Sequence, residues 1–208
     1  NDRVDPGELT NYEDLADAKW RGRICVRSSN SIYNQSHIAS FIAHYGVAAA
    51  EQWAAGLSAN FARKPAGGDR DQIRAVASGE CDVALANTYY LARLAGSNNE
   101  NDSAAAAAVS IIWPNQNSVG THVNVSGAAV TASAKNLDNA IKLIEFLAGD
   151  AAQEIYAGTV NEYPIRDGIA LAPVVASWGE FKADDLELSL LGKHNAEAVR
   201  IADRVGWQ

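Results

Sequence analysis

The spacing of apolar residues along this chain alternates between two patterns. Residues 24–27 and 81–86 are short apolar runs bounded by turn formers, the pattern of buried strands. Between them, residues 34–45 carry Ile38, Phe41 and Ile42 at helical spacing, and Gly46 stops that helix. Residues 48–57 and 69–78 read as two further helices, the latter with Gly68 or Asp69 at its N-cap and Gly79 at its end. A helix begins again at Tyr90. The order β, α, α, α, β, α predicts an α/β fold with a parallel sheet. Residues 96–103 are wholly polar and predict an exposed loop. Beyond them, residues 109–113 and 123–130 read as strands. Helices are expected over 136–148, 151–156 and 188–205, with 161–165 extended around Pro164.

Composition narrows the picture only where it excludes something. A chain of 208 residues, 48% apolar, suits one or two domains with a sizeable core. No apolar run approaches the roughly 20 residues that span a bilayer. The net charge of −8 is spread along the chain, −3 over residues 1–108 (10 basic, 13 acidic) and −5 over 109–208 (7 basic, 12 acidic). That balance argues against nucleic acid, whose phosphates need a basic footprint, and mildly favours cationic ligands. There is no methionine, and the opening Asn1-Asp-Arg-Val-Asp-Pro-Gly contains neither an initiator nor a signal peptide, so a processed or truncated chain is expected. Cys25 and Cys81 each sit in a strand-like run. If those strands are neighbours, the pair can form a disulfide and implies an oxidising compartment; otherwise both are buried thiols.

Candidate chemistry gathers at the strand ends. Tyr33 follows the first strand, and Tyr89 and Tyr90 follow the second. In open parallel sheets, ligands bind outside the C-terminal ends of the strands. Three phenols at one edge suit a hard, highly charged cation, because phenolate is a hard oxygen donor and a trivalent ion such as Fe³⁺ offsets the cost of ionising it. Ser28, Ser29 and Asn34 surround a predicted helix start downstream of Arg27 and are candidates for a small anion such as carbonate, although plain helix capping uses the same residues. His37 and His44 are seven apart, too far for a zinc pair at i, i+4; His37, one turn after Tyr33, is within reach of the site. His122 and His194 read as structural or surface residues, and Asp184-Asp185 as a solvated loop. No phosphate-binding glycine motif, zinc spacing or nucleophile elbow is present. No base is paired with a nucleophile, so a binding protein is expected rather than an enzyme.

Several segments together are specific to one family. Trp20-Arg-Gly-Arg-Ile-Cys-Val-Arg-Ser-Ser, Ile32-Tyr-Asn-Gln-Ser, Gly79-Glu-Cys-Asp-Val-Ala-Leu-Ala-Asn-Thr-Tyr-Tyr, Trp113-Pro-Asn-Gln, Gly120-Thr-His-Val-Asn-Val-Ser-Gly-Ala and Asn161-Glu-Tyr-Pro occur in order over nearly the whole chain. With them the chain resembles the ferric iron-binding periplasmic proteins, the solute-binding components of ABC iron importers. The resemblance implies a type II periplasmic binding-protein fold with iron in a cleft. It matches Tyr33, Tyr89 and Tyr90 to the family's ligand tyrosines, and it implies Fe³⁺ with a synergistic carbonate or bicarbonate. The implied partner is an ABC permease in the inner membrane, and the implied location is the periplasm. Family members extend well beyond the start of this chain. The expectation is therefore one nearly complete lobe over residues 1–108 and an incomplete second lobe over 109–208, with a hinge strand near 109–125. An incomplete lobe would expose an apolar edge and invite self-association. The alternatives are the same fold holding another small anion or metal, and an inactive truncated or proteolytic remnant.

Overall fold

The computed structural model describes residues 1–208. It contains two compact units, one formed by residues 1–124 with 181–208 and the other by 125–180. The first is built on two short parallel strands. Strand β1 (Ile24–Cys25) pairs with β2 (Val83–Ala84) in the register Ile24 to Val83 and Cys25 to Ala84, and Phe61 bridges Ile24 in parallel on the other side. Parallel strands need a crossover, supplied here by α1 (Ile32–Tyr45), α2 (Val47–Ala59) and α3 (Asp69–Ser78). α4 (Thr88–Ala95) and α5 (Glu100–Ala107) follow β2. Three 3₁₀ turns, Pro6–Glu8, Tyr12–Ala16 and Ala18–Trp20, precede β1.

The core joins Leu15, Trp20, Ile24, Ile38, Leu57, Ile201 and Trp207. Asn60 ties it together: its side-chain Nδ2 donates to the carbonyls of Leu15 (2.9 Å) and Asp17 (2.8 Å), and its own carbonyl accepts from Arg23 and Ile24. Cys25 and Cys81 form a disulfide with Cα atoms 5.9 Å apart, so of the two states open to them they take the bridged one.

Three expectations need correction. The polar stretch after Gly96 is not all loop, because α5 begins at Glu100. The Asn99 side chain caps it by accepting from the Asn101 N–H (2.9 Å), Arg74 anchors Asp102, and the following alanines are the strongest helix formers. Residues 109–113 and 123–130 join no ladder; the only pairing nearby is an isolated bridge between Thr121 and Ala183. The expected hinge strand near 109–125 is therefore irregular chain. α9 (Leu188–Arg204) packs along α1, with Ala198, Ile201 and Ala202 buried, and so belongs with the first unit. Gly120 packs against the returning segment. At φ +100° it lies against the Ala183 carbonyl, where a Cβ would come within 2.6 Å.

The 125–180 unit contains α6 (Leu137–Ala148), α7 (Asp150–Ile155), a π-turn over Tyr156–Val160 and α8 (Pro173–Ala176). Gln153 organises it, donating to the Leu147 carbonyl (2.8 Å) and accepting from the Ile165 N–H (3.0 Å).

Candidate metal centre

Both strands deliver phenols to the same edge of the sheet. From β1 the chain runs through Arg27 to α1, whose first turn carries Tyr33; from β2 it runs through Asn87 to α4, whose first turn carries Tyr89 and Tyr90. The Tyr33 and Tyr89 hydroxyls lie 3.0 Å apart across 56 residues of sequence. The Tyr89 and Tyr90 rings are 4.2 Å apart between centroids. All three side chains are partly exposed. No group of three or more His, Cys, Asp or Glu side chains is placed to hold a metal ion.

Two of the phenols, Tyr33 and Tyr89, resist ionisation. Burial, followed by the hydrogen bonds to Tyr33 and Tyr90, drives the Tyr89 phenol far above its ordinary value. The Tyr89 hydrogen bond pulls Tyr33 down, but burial, the neighbouring Tyr90 and Asp69 outweigh it, and Tyr33 is also raised. The two hydroxyls that share a hydrogen bond, those of Tyr33 and Tyr89, resist ionising together, and a strong local positive charge reverses that.

Arginines frame the phenols. The Arg27 guanidinium carbon lies 5.3 Å from the Tyr33 ring centroid, and that of Arg93 lies 5.2 Å from Tyr89 and 6.0 Å from Tyr90. Arg93 reaches Tyr89 because the two are one turn apart on α4. Asp69, only 2% exposed, accepts from Arg27 Nη1 (2.6 Å), the Asn87 N–H (2.7 Å) and Asn87 Nδ2 (3.0 Å). Burial weighs against the Arg27 cation, but the Asp69 contact outweighs it and its pKa is raised. Sequence reasoning read Asp69 only as the start of α3 and did not single out Arg93. The one usable signal was Arg93 at i+4 from Tyr89.

Of the residues expected around an anion, Ser28 and Asn34 make side-chain hydrogen bonds within the chain. Ser28 Oγ accepts from the Asn30 N–H (3.2 Å), and Asn34 Nδ2 donates to the carbonyls of Arg27 (2.9 Å) and Ser28 (3.1 Å). The Ser29 carbonyl accepts from Gln35 (2.9 Å). Ser31 Oγ, buried at the N-cap of α1, has no partner.

His37 lies in an aromatic cluster with Tyr12, Phe41 and Trp53, and stacks on His122 at 5.3 Å. The Asp184-Asp185 loop departs from its expected solvation: Asp184 is buried and pairs with His44 Nε2 at 2.8 Å.

Residues 4–182 match the family of bacterial extracellular solute-binding proteins. The chain belongs to that family. It is 47% identical over its whole length to Iron uptake protein A2 of Synechocystis, covering 60% of that protein. It is 31% identical over 93% of its length to the Major ferric iron-binding protein of Neisseria meningitidis, covering 56%. Among solved structures, a Trichodesmium protein (IdiA, FutA) in complex with iron and citrate superposes with a TM-score of 0.96 at 50% identity, over all of this chain and 66% of that one. A ferric binding protein from Campylobacter jejuni superposes with a TM-score of 0.95 at 41% identity, over 99% of this chain and 65% of that one. The fold is therefore that of type II periplasmic binding proteins. The chain spans about 60% of the length of the curated relatives it matches.

Proposed function

We propose that this family member captures ferric iron through the phenolates of Tyr33, Tyr89 and Tyr90 and passes it to an ABC importer permease, working as a periplasmic binding protein rather than a catalyst. The observation that carries this is the 3.0 Å approach of the Tyr33 and Tyr89 hydroxyls, with Tyr90 beside them. No core-packing argument requires three phenols, all partly exposed, to converge at the ligand-binding edge of a parallel sheet. Three phenolates offset the three charges of Fe³⁺ and disfavour divalent ions. The neutral phenols become ligands when the bound ion displaces their protons, so loading releases protons and weakens as the pH falls. A small oxygen-donor anion of the carbonate type fills iron positions the phenolates leave open. Its support here is the first turn of α1, where Ser31 Oγ is buried without a partner. The Cys25–Cys81 disulfide agrees with an oxidising compartment such as the periplasm. The iron-containing Trichodesmium structure supports the choice of cargo.

The test is optical. Fe³⁺ added to the protein in bicarbonate buffer should produce the visible phenolate-to-iron absorption band, and Tyr89→Phe/Tyr90→Phe should abolish it. No band at saturating Fe³⁺, with either bicarbonate or citrate present, sinks this reading.

A further inference from the structure

Beside the three phenols lies a charge pair that none of them requires for its own hydrogen bonding. Asp69 is buried at the start of α3, yet its contacts lie at the starts of the two tyrosine-bearing helices rather than within its own. One carboxylate oxygen takes the Arg27 guanidinium at 2.6 Å; the other takes the Asn87 N–H and side-chain amide at 2.7 and 3.0 Å. Asn87 is the N-cap of α4, and its carbonyl accepts from the Tyr90 N–H (3.2 Å). Asn124 Nδ2 holds the far side of Asn87 by donating to its Oδ1 at 3.0 Å. The Arg27 carbonyl accepts from Asn34 in α1 and from Trp207 Nε1, both at 2.9 Å, so the Arg27 backbone is fixed as well. Its guanidinium lies against the Tyr33 ring.

We propose that Asp69 is a positioning residue for iron capture: its buried carboxylate sets the spacing between Tyr33 and the Tyr89-Tyr90 pair and offsets the Arg27 charge beside the Tyr33 ring. The proposal rests on the reading that these phenols hold iron. An isolated guanidinium at that position would stabilise the electrons of the Tyr33 phenolate and repel the incoming cation, weakening donation to the metal. The carboxylate and the guanidinium together present little net charge to the site while still fixing the backbone on both sides. Removing either partner leaves the other uncompensated, with the carboxylate buried and the guanidinium partly exposed, so the two single variants should disturb the site with opposite sign.

The experiment reads iron affinity by competition against citrate, and the position of the phenolate-to-iron band, with Fe³⁺ supplied as its citrate complex. Asp69→Asn preserves shape and removes the charge; it should weaken iron binding about tenfold or more and move the band to shorter wavelength. Arg27→Gln leaves the carboxylate unopposed and should move the band to longer wavelength. Asp69→Asn/Arg27→Gln removes both charges together and should return the band to within a few nanometres of its original position. Asp69→Glu keeps the charge but crowds Asn87; it should weaken binding with little band shift. A residue that only supported the fold would move all bands alike or not at all. Circular dichroism verifies folding, and should Asp69→Asn not fold, the Arg27→Gln shift and the double variant decide the matter. Unshifted bands in the folded variants, or shifts of the same sign, overturn the proposal. A wild-type chain that takes up iron with unaltered variants refutes this inference alone; a wild-type chain with no band refutes the iron reading and this inference with it.

Discussion

At the scale of single residues, position relative to water decides which polar groups are available for chemistry. His37 and His122 illustrate the opposite case from the tyrosines. Burial drives the His37 imidazole well below its ordinary value, with the neighbouring His122 adding to the effect. Burial likewise lowers His122, to about 4, against an upward pull from Asp184. An unfolded histidine takes up its proton near pH 6.5, whereas these do so only at lower pH. Below 6.5 the unfolded state therefore binds more protons, and stability falls as the pH drops, by up to about 1.4 kcal/mol per pH unit for each histidine. Urea unfolding should show a lower midpoint at pH 5 than at pH 7.5, and His122→Asn should flatten that dependence. Asn60 is a second residue-level test. It is buried and donates to two carbonyls, so Asn60→Ala leaves both unpaired and should cost about 2–4 kcal/mol, measured by the same denaturation.

At the scale of elements, the binding edge depends on how β1 and β2 are held, since each ladder strand is only two residues long. The Cys25–Cys81 disulfide closes a loop of 56 residues between them, for which chain entropy gives a stabilisation of about 4 kcal/mol. Cys25→Ala/Cys81→Ala should lower the unfolding free energy by 2–5 kcal/mol in equilibrium denaturation. α3 and α1 were legible in the sequence because amphipathic spacing, a glycine stop and a polar start coincide within a few residues. α5 was obscured because its first turn is made of Glu100, Asn101 and Asp102, residues that also favour loops; what makes them helical is the Asn99 cap and the pull of Arg74 on Asp102. Segments 109–113 and 123–130 show the converse. Alternation supplies a β surface, but a strand exists only where a neighbour completes the hydrogen bonds.

At the scale of the whole molecule, the 125–180 unit exposes large apolar side chains along α6 and beyond it. Leu143 and Phe146 are 57% and 54% exposed, and Leu137, Ile141, Ile155 and Ile165 are exposed as well. Exposed apolar surface of this kind favours association. Sedimentation velocity should show the chain associating as concentration rises, and Leu143→Glu/Phe146→Glu should restore a single slow species. In the other unit α9 packs along α1, and Ile38, Phe41 and Ile42 are buried in the core there.

The sequence by itself determined the α/β class, the order of the main helices and the three tyrosines at the ends of two strands, because local periodicity and turn chemistry are properties of neighbouring residues. Only the tertiary structure decided that Tyr33 and Tyr89 touch, that Cys25 and Cys81 are bridged, that α9 packs on α1, and that the Asp184 carboxylate belongs to His44. It also turned Asp69 from a helix start into the carboxylate that joins two tyrosine-bearing segments. Those facts depend on which residues distant in the chain meet across the core, and on how much water each polar group loses in doing so.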